Sequence, residues 1–254
     1  MPSDPLIRSI DPHAVRAQLK RRSPVAVSAH PLWQEAAARL NDRLSYIRVP
    51  EGARLDYGIA QFGQPISATA GSLGMIVSVG LLAYLSDQRA TLEFWARTLA
   101  PGGLLMFCSL GPDSFRPLAL ALGDEDQTRH AAGYPDMHDL GDALVGLRMA
   151  NPVMDVEWLT LTYADPDSAL RDLRLIGGNP MFRRGKGLRG RAWRDRVLTA
   201  LSTLEKDGRI EIPVELVFGH AWAGGATSGA AQAKDQVQTI QWFGKTPKDS
   251  GSDI

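Results

Sequence analysis

The chain has 254 residues, with 28 Lys plus Arg against 28 Asp plus Glu and 44% apolar residues. That length supports a substantial core, as one large domain or two small ones, and the balanced charge excludes a globally polybasic nucleic-acid binder or an acidic solubilising protein. Cys108 is the only cysteine, which excludes an internal disulfide framework or a thiolate zinc site and makes a reducing cytoplasm the expected compartment.

The first residues, "MPSDPLIRSIDPHAVR", contain no continuous apolar run, so no secretory signal is expected. Asp11 opens a basic helix to about Arg22, and His30 or Pro31 opens a second, with Leu32, Ala36, Leu40, Leu44 and Ile47 at helical spacing. Residues 1–50 therefore read as lid helices before an α/β domain at 51–245, with a disordered tail at 246–254. Three apolar runs follow, "ARLDY" from Ala53, "MIVSV" from Met75 to Val79 and "GLLMFCSL" from Gly103 to Leu110, the pattern of buried parallel strands. The uncharged stretch Pro65–Leu85 is barely long enough to span a bilayer, but its Ser, Thr, Ala and Gly residues supply little transfer energy and no basic cluster flanks it. It reads as a buried strand with a small-residue lead-in, and no membrane contact is expected.

Asp87 caps a helix "QRATLEFWARTLA" that Pro101-Gly102-Gly103 ends, giving a right-handed strand–helix–strand unit. Further helices are expected from Pro112 and over Asp136–Met149. Long strands are expected over Met154–Asp165 and Arg209–Trp222, with the helices "SALRDLRLIGG" and "GRAWRDRVLTALSTLEKDG" between them and a short strand "TIQWFG" near the end. His138 beside Asp136 and Asp139 lacks the spacing of a helix-borne metal pair, so no metal is expected.

"LLAYLSDQRATLEFWARTLAPGGLLMFCSLGPDSF", "DMHDLGDALV", "NPVMDVEWLTLTYAD", "LRDLRLIGGN" and "VFGHAW" occur in this order. On these segments, which cover well over half of it, the chain resembles the class I S-adenosylmethionine-dependent methyltransferases, specifically the malonyl-acyl-carrier-protein O-methyltransferase family of biotin synthesis. The resemblance implies a Rossmann-like α/β sheet flanked by helices, S-adenosylmethionine as cofactor, and O-methylation of a malonyl thioester carboxylate presented by acyl carrier protein. It assigns cofactor contacts to Asp56, Gly58, Val79 and Gly80. The residues themselves offer Tyr134, His138, Arg171 and Arg174 to hold an acceptor carboxylate, with plain helix-surface polar residues as the alternative, and Ser109 and Asp113 at the mouth after "LMFCS", where helix capping accounts equally for Asp113.

Two departures bear on that cofactor. Ala60 and Phe62 stand where the family runs Gly-x-Gly after its first strand, and Phe62 puts a ring where cofactor or helix packs. Only Phe62 to Gly74 separates this turn from "MIVSV", too few residues for the family's second and third strands, and Tyr57–Ser86 contains no Asp or Glu to accept from a ribose diol. Each lost charge-assisted hydrogen bond costs about 1.5–3 kcal/mol, so weak or absent cofactor binding is expected unless another segment rebuilds the site. Activity stays open between a methyltransferase and a catalytically inactive relative that binds acyl carrier protein or an active homologue, with a relative of the complex I assembly factors as a weaker rival.

Arg183–Arg196, "RRGKGLRGRAWRDR", carries seven basic residues against one acid. Such a segment steers acidic partners, and Arg189, Arg191 and Arg194 are the expected contacts to acyl carrier protein, with a solvated loop or nucleic acid as the alternatives. No nucleic-acid partner is adopted, and pairing with a second copy stays open.

Overall fold

The computed structural model describes residues 4–8, 10–123, 133–176, 190–224 and 238–240. Asp11 caps the first helix, α1 (Pro12–Arg22), by accepting from the His13 and Ala14 amides at 3.0 and 3.3 Å, and Lys20, Arg21 and Arg22 close its last turn, where cations complement the helix dipole. A short helix α2 (Pro24–Ser28), not foreseen from the sequence, leads to α3 (Pro31–Leu44). His30 caps α3 through Nδ1, which accepts from the Leu32 amide at 3.1 Å.

The sheet then begins. β1 (Ala53–Asp56) and β3 (Leu73–Val79) are parallel, and α4 (Gln88–Thr98), capped by Asp87, crosses to β4 (Leu99–Leu110), parallel to β3. Between β1 and β3 there is no crossover helix. The chain makes one 3-10 turn at Ile59–Gln61 and a short β2 (Ile66–Ala68), which leaves the main sheet and pairs with β8 (Gln238–Ile240). Two short helices, α5 (Arg116–Ala121) and α6 (Met137–Gly146), precede β5 (Ala150–Tyr163). Helices α7 (Pro166–Ile176) and α8 (Arg191–Ser202) follow, then a hairpin of β6 (Glu205–Lys206) with β7 (Arg209–Trp222).

The strand order is β1-β3-β4-β7-β5, with β7 antiparallel to both neighbours. Among the described residues no strand pairs the outer side of β1, so the sheet ends where the family's second and third strands would continue it. This is the expected α/β, Rossmann-like sheet of class I methyltransferase type, shortened at one edge.

Two apolar layers cover it. On one face α1–α3 bury Trp33, Ala36 and Leu40 against Met75, Val77, Met106 and Phe218; on the other, α4 and α6 bury Leu92, Trp95 and Leu140 against Ile76, Leu105 and Val217. A smaller cluster holds α7 and α8 over Ile210 and Ile212 at the start of β7.

Several boundaries differ from the sequence reading. α8 stops at Ser202 because Asp207 and Gly208, at φ +50° and +77°, form a hairpin turn that the helical pattern through "LEKDG" masks. α5 starts at Arg116, not Pro112, and β5 starts four residues early, at Ala150. The tail at 246–254, most of "TIQWFG" and Arg189 lie outside the described residues.

Candidate functional site

The C-terminal ends of parallel strands, where a doubly wound sheet holds its ligands, here bring together Asp56 and Gly58, Val79 and Gly80, and Leu110 and Gly111. The turn after β1 is held from within. The Tyr57 amide donates to Val77 O at 2.8 Å, Tyr57 Oη donates to Gln64 O at 2.6 Å, and the Gly58 amide donates to Gln61 Oε1 at 2.9 Å. Asp56, 62% exposed, is bound by its neighbour Arg54 through Nη2 at 2.7 Å and Nε at 3.0 Å. Phe62 packs against both apolar layers.

Beside this turn lies a cleft of about 210 Å³, walled by Trp33 and Gln34 of α3, Asp56, Gly58, Ala60 and Val79. Gly80 sits at φ +71° directly under Trp33 and Ile59: a Cβ there would fall 2.5 Å from Ile59 Cδ1 and 2.7 Å from Trp33 Cε3. Both side chains are 1% exposed. A nucleoside sulfonium does not fit these residues as built. The cleft is below the roughly 300 Å³ at which small-molecule sites begin, protein side chains fill the space over Gly80, and the nearest carboxylate is turned outward to Arg54.

The surroundings of Arg8 are built differently. Arg8, 6% exposed, reaches in from the N-terminal segment. Its Nε donates to Gly133 O at 2.8 Å, and its Nη1 donates to Ala83 O at 2.7 Å and Leu85 O at 3.4 Å. The guanidinium lies over the Tyr134 ring, 4.5 Å from its centroid, and Nη2 is buried without a hydrogen-bond partner among the described residues. Burial brings Arg8 down to about 10, partly offset by Tyr134, so it is charged at neutral pH. Tyr84, next along, donates to Ile176 O, packs at 6.2 Å from the Trp33 ring, and has Arg22 within electrostatic reach. Burial pushes the Tyr84 and Tyr134 phenols up, so both are neutral donors.

Of Ser109, Tyr134, His138 and Arg171, only Tyr134 enters this cluster. Ser109 is fully buried in β4, on the face packed by α4 and α6, with its Oγ unpartnered among the described residues. His138 is exposed in the first turn of α6, its amide donating to Asp136 Oδ1 at 2.7 Å. Arg171 is exposed on α7, donating to Ser168 Oγ at 2.8 Å. Of the basic contacts, Arg191 and Arg194 are exposed on α8, and Arg194 pairs with Asp167 of α7.

Arg8, Arg22, Tyr84 and Glu215 were not singled out from the sequence. An arginine inside the apolar run "PLIRSI" was the available signal for Arg8. Glu215 is buried on β7, where Oε2 accepts from the Asp113 amide at 2.8 Å. His30, 3% exposed, contacts Asp172 through Nε2 at 2.8 Å, and Tyr163 Oη donates to the same oxygen at 2.5 Å, tying α3 to α7 and β5. Among the described residues no group of three or more His, Cys, Asp or Glu is placed to hold a metal ion, and no helix is long and apolar enough to cross a membrane. A larger groove of about 420 Å³ lies toward the other end of the sheet, between α3 and the β5–β7 pair, with Arg43, Tyr46 and His220 on its walls.

The sheet order and the ligand-facing strand ends thus define an α/β protein of the class I methyltransferase type. No family model matches the chain. Its sequence relatives are malonyl-[acyl-carrier protein] O-methyltransferases: that of Laribacter hongkongensis is 42% identical over 160 residues, 63% of this chain and 54% of the relative, and that of Gallionella capsiferriformans is 41% identical over 160 residues, 63% and 55%. The Halorhodospira halophila protein of the same name is 28% identical over 229 residues, 89% of this chain and 76% of the relative. The chain spans about half the length of the first two. Among solved structures, the YcgJ protein of Bacillus subtilis superimposes with a TM-score of 0.49 at 10% identity, covering 74% of this chain and 98% of that one.

Proposed function

We propose that this chain serves malonyl-acyl-carrier-protein O-methylation in biotin synthesis by recognising the acyl-carrier-protein thioester. The names of the relatives suggest the substrate, and the contrast between the two halves of the fold carries the reading. From β3 through β4 and β7 the sheet is covered on both faces, and its mouth holds a buried arginine and two half-buried tyrosines. At β1 the sheet stops, and α3 closes the space over Gly80. S-adenosylmethionine is the cofactor of the methyltransferase class, but with the cleft as built no methyl-transfer step is derived for this chain. Arg191 and Arg194 give α8 an exposed basic face toward an acidic carrier protein.

A second reading, methyl transfer by the chain itself, is favoured by Gly58 and Gly80, which keep the backbone bare at the ends of β1 and β3 beside the cleft. Isothermal titration separates the two. Recognition without a resident cofactor predicts heat with malonyl-acyl carrier protein and none with S-adenosylmethionine; tight binding of S-adenosylmethionine establishes the second reading; silence with both ligands overturns both. Arg191→Glu with Arg194→Glu weakens carrier-protein binding about tenfold, the effect of one lost charge-assisted contact. Unchanged affinity removes α8 from the interface.

A further inference from the structure

The guanidinium of Arg8 is a buried cation whose partners among the described residues, three carbonyls and Tyr134, are all neutral. Three of its five N–H groups are used on the carbonyls of Ala83, Leu85 and Gly133, and the two on Nη2 have no partner among the described residues. Arg22 repeats the pattern at the end of α1: its Nη1 is buried without a partner, and Tyr84 and Arg174 are within electrostatic reach of it. Tyr84 and Tyr134 lie between the two arginines. No Asp or Glu interacts with Arg8, Arg22, Tyr84 or Tyr134 among the described residues.

Burying a charge without a counter-ion is costly, and proteins normally pair it. Carbonyl oxygens offset part of that cost at Arg8 and fix the plane of its fork, but among the described residues they leave a net positive charge at the strand-end mouth. The two N–H groups left on Nη2 can donate to a carboxylate oxygen as charge-assisted bonds, while the Tyr84 hydroxyl is already given to Ile176 O. The site also lies where the acceptor must enter, because Ala83 and Leu85 directly follow Gly80 at the end of β3.

We propose that Arg8, stacked on Tyr134 and joined across Tyr84 by Arg22, is an anion subsite that receives the free terminal carboxylate of a short acyl thioester. This rests on the reading given above and supplies its selectivity: the subsite admits a chain ending in carboxylate and gives no gain to one ending in methyl. Arg174, exposed on α7, draws the anion toward the mouth.

The test compares malonyl- and acetyl-acyl carrier protein, with monomethyl malonate as a small probe free of the carrier. The native chain is expected to bind malonyl-acyl carrier protein at least tenfold tighter than the acetyl form, and monomethyl malonate to bind measurably. Arg8→Gln and Arg22→Gln are each expected to bring the malonyl preference to within about twofold while leaving acetyl affinity unchanged; a clamp that only braces the loops lowers both thioesters alike. Arg22 is half-exposed at a helix end, so its variant keeps the test open if Arg8→Gln does not fold. Equal affinity for the two thioesters in the native chain, or a malonyl preference that survives both substitutions, overturns the subsite. Monomethyl malonate binding that is lost in both variants, without carrier-protein binding, supports the subsite and overturns the carrier-protein reading. Absence of binding by all three probes overturns both.

Discussion

Replacing Glu157 by Gln tests what holds α3 over the sheet. Glu157, on β5, accepts from Arg39 Nη1 at 2.5 Å and from Arg43 Nη2, while Arg39 also reaches Glu35 at 2.8 Å and Arg43 reaches Asp155 at 2.5 Å. The Arg43 guanidinium lies 3.8 Å from the centroid of the Phe218 ring, so it is fixed by packing as well as charge. Burial lifts the Glu157 carboxyl, but Arg43 and Arg39 outweigh it and hold the group below the usual glutamate range. Gln keeps the shape and one acceptor oxygen but removes the charge. Two charge-assisted bonds become neutral ones, and with the side chain 32% exposed the screened loss is about 1–2 kcal/mol. A carboxyl depressed by folding contributes stability that is present above its unfolded value, near 4.3, and is lost as pH falls through the folded value. Urea unfolding at about pH 7 should therefore show the full deficit for Glu157→Gln, and at about pH 4 a smaller one. A deficit of the same size at both pH values refutes the electrostatic account and assigns the effect to shape. No deficit at neutral pH refutes the network as a tie for α3.

Gly80→Ala combines the left-handed backbone at φ +71° with a collision on Ile59 and Trp33, and is expected to cost about 3 kcal/mol, read from the urea midpoint. Gly71→Ala, at the same φ but with nothing within 4 Å, is expected to cost only about 1 kcal/mol; equal losses would show that the space over Gly80 yields. Burial raises the Glu215 carboxyl, the Asp113 amide opposes this, and the charges of Asp113 and Asp136 reinforce it. The folded state therefore binds more protons than the unfolded chain above about pH 4.3, stability falls as pH rises through that window, and Glu215→Gln removes this slope in thermal melts. The Cys108 thiol is fully buried and pushed well above its ordinary range, so its labelling by a thiol reagent should track unfolding in urea; rapid labelling of the native chain would show that β4 opens locally.

The shortened edge of the sheet was legible by counting. Residues 62–74 cannot hold a crossover helix, a strand and a second crossover, whatever their identity, and the structure places only β2 there before β3 begins, after the 3-10 turn at Ile59–Gln61. Periodicity also located β1, β3, β4 and the caps at Asp11, Asp87 and Asp136. It failed at "LEKDG", where charged residues at helical spacing concealed a two-residue hairpin turn, and at Ser109, whose burial depends on which face of β4 the helices α4 and α6 cover. Arg8 was beyond such reading because its partners lie at 83, 85 and 133, contacts that only the folded chain assembles.

Nor could the sequence show what covers the sheet beside β1. With no helix between β1 and β3, the faces of Val77 and Ile59 would be open to water, and α3 covers them with Trp33. An indole buries about 150–250 Å², which at about 25 cal/mol per Å² is about 4–6 kcal/mol. A ligand that needs the space over Gly80 must displace that ring and offset its burial, about three to four decades of affinity, before any contact with a sugar or sulfonium is counted. Around Arg8 no such ring has to move, because its guanidinium is already buried and held by the carbonyls of Ala83, Leu85 and Gly133. The packing of Trp33 over Gly80 therefore sets a cost on one side of the mouth that the surroundings of Arg8, under the proposal above, do not share.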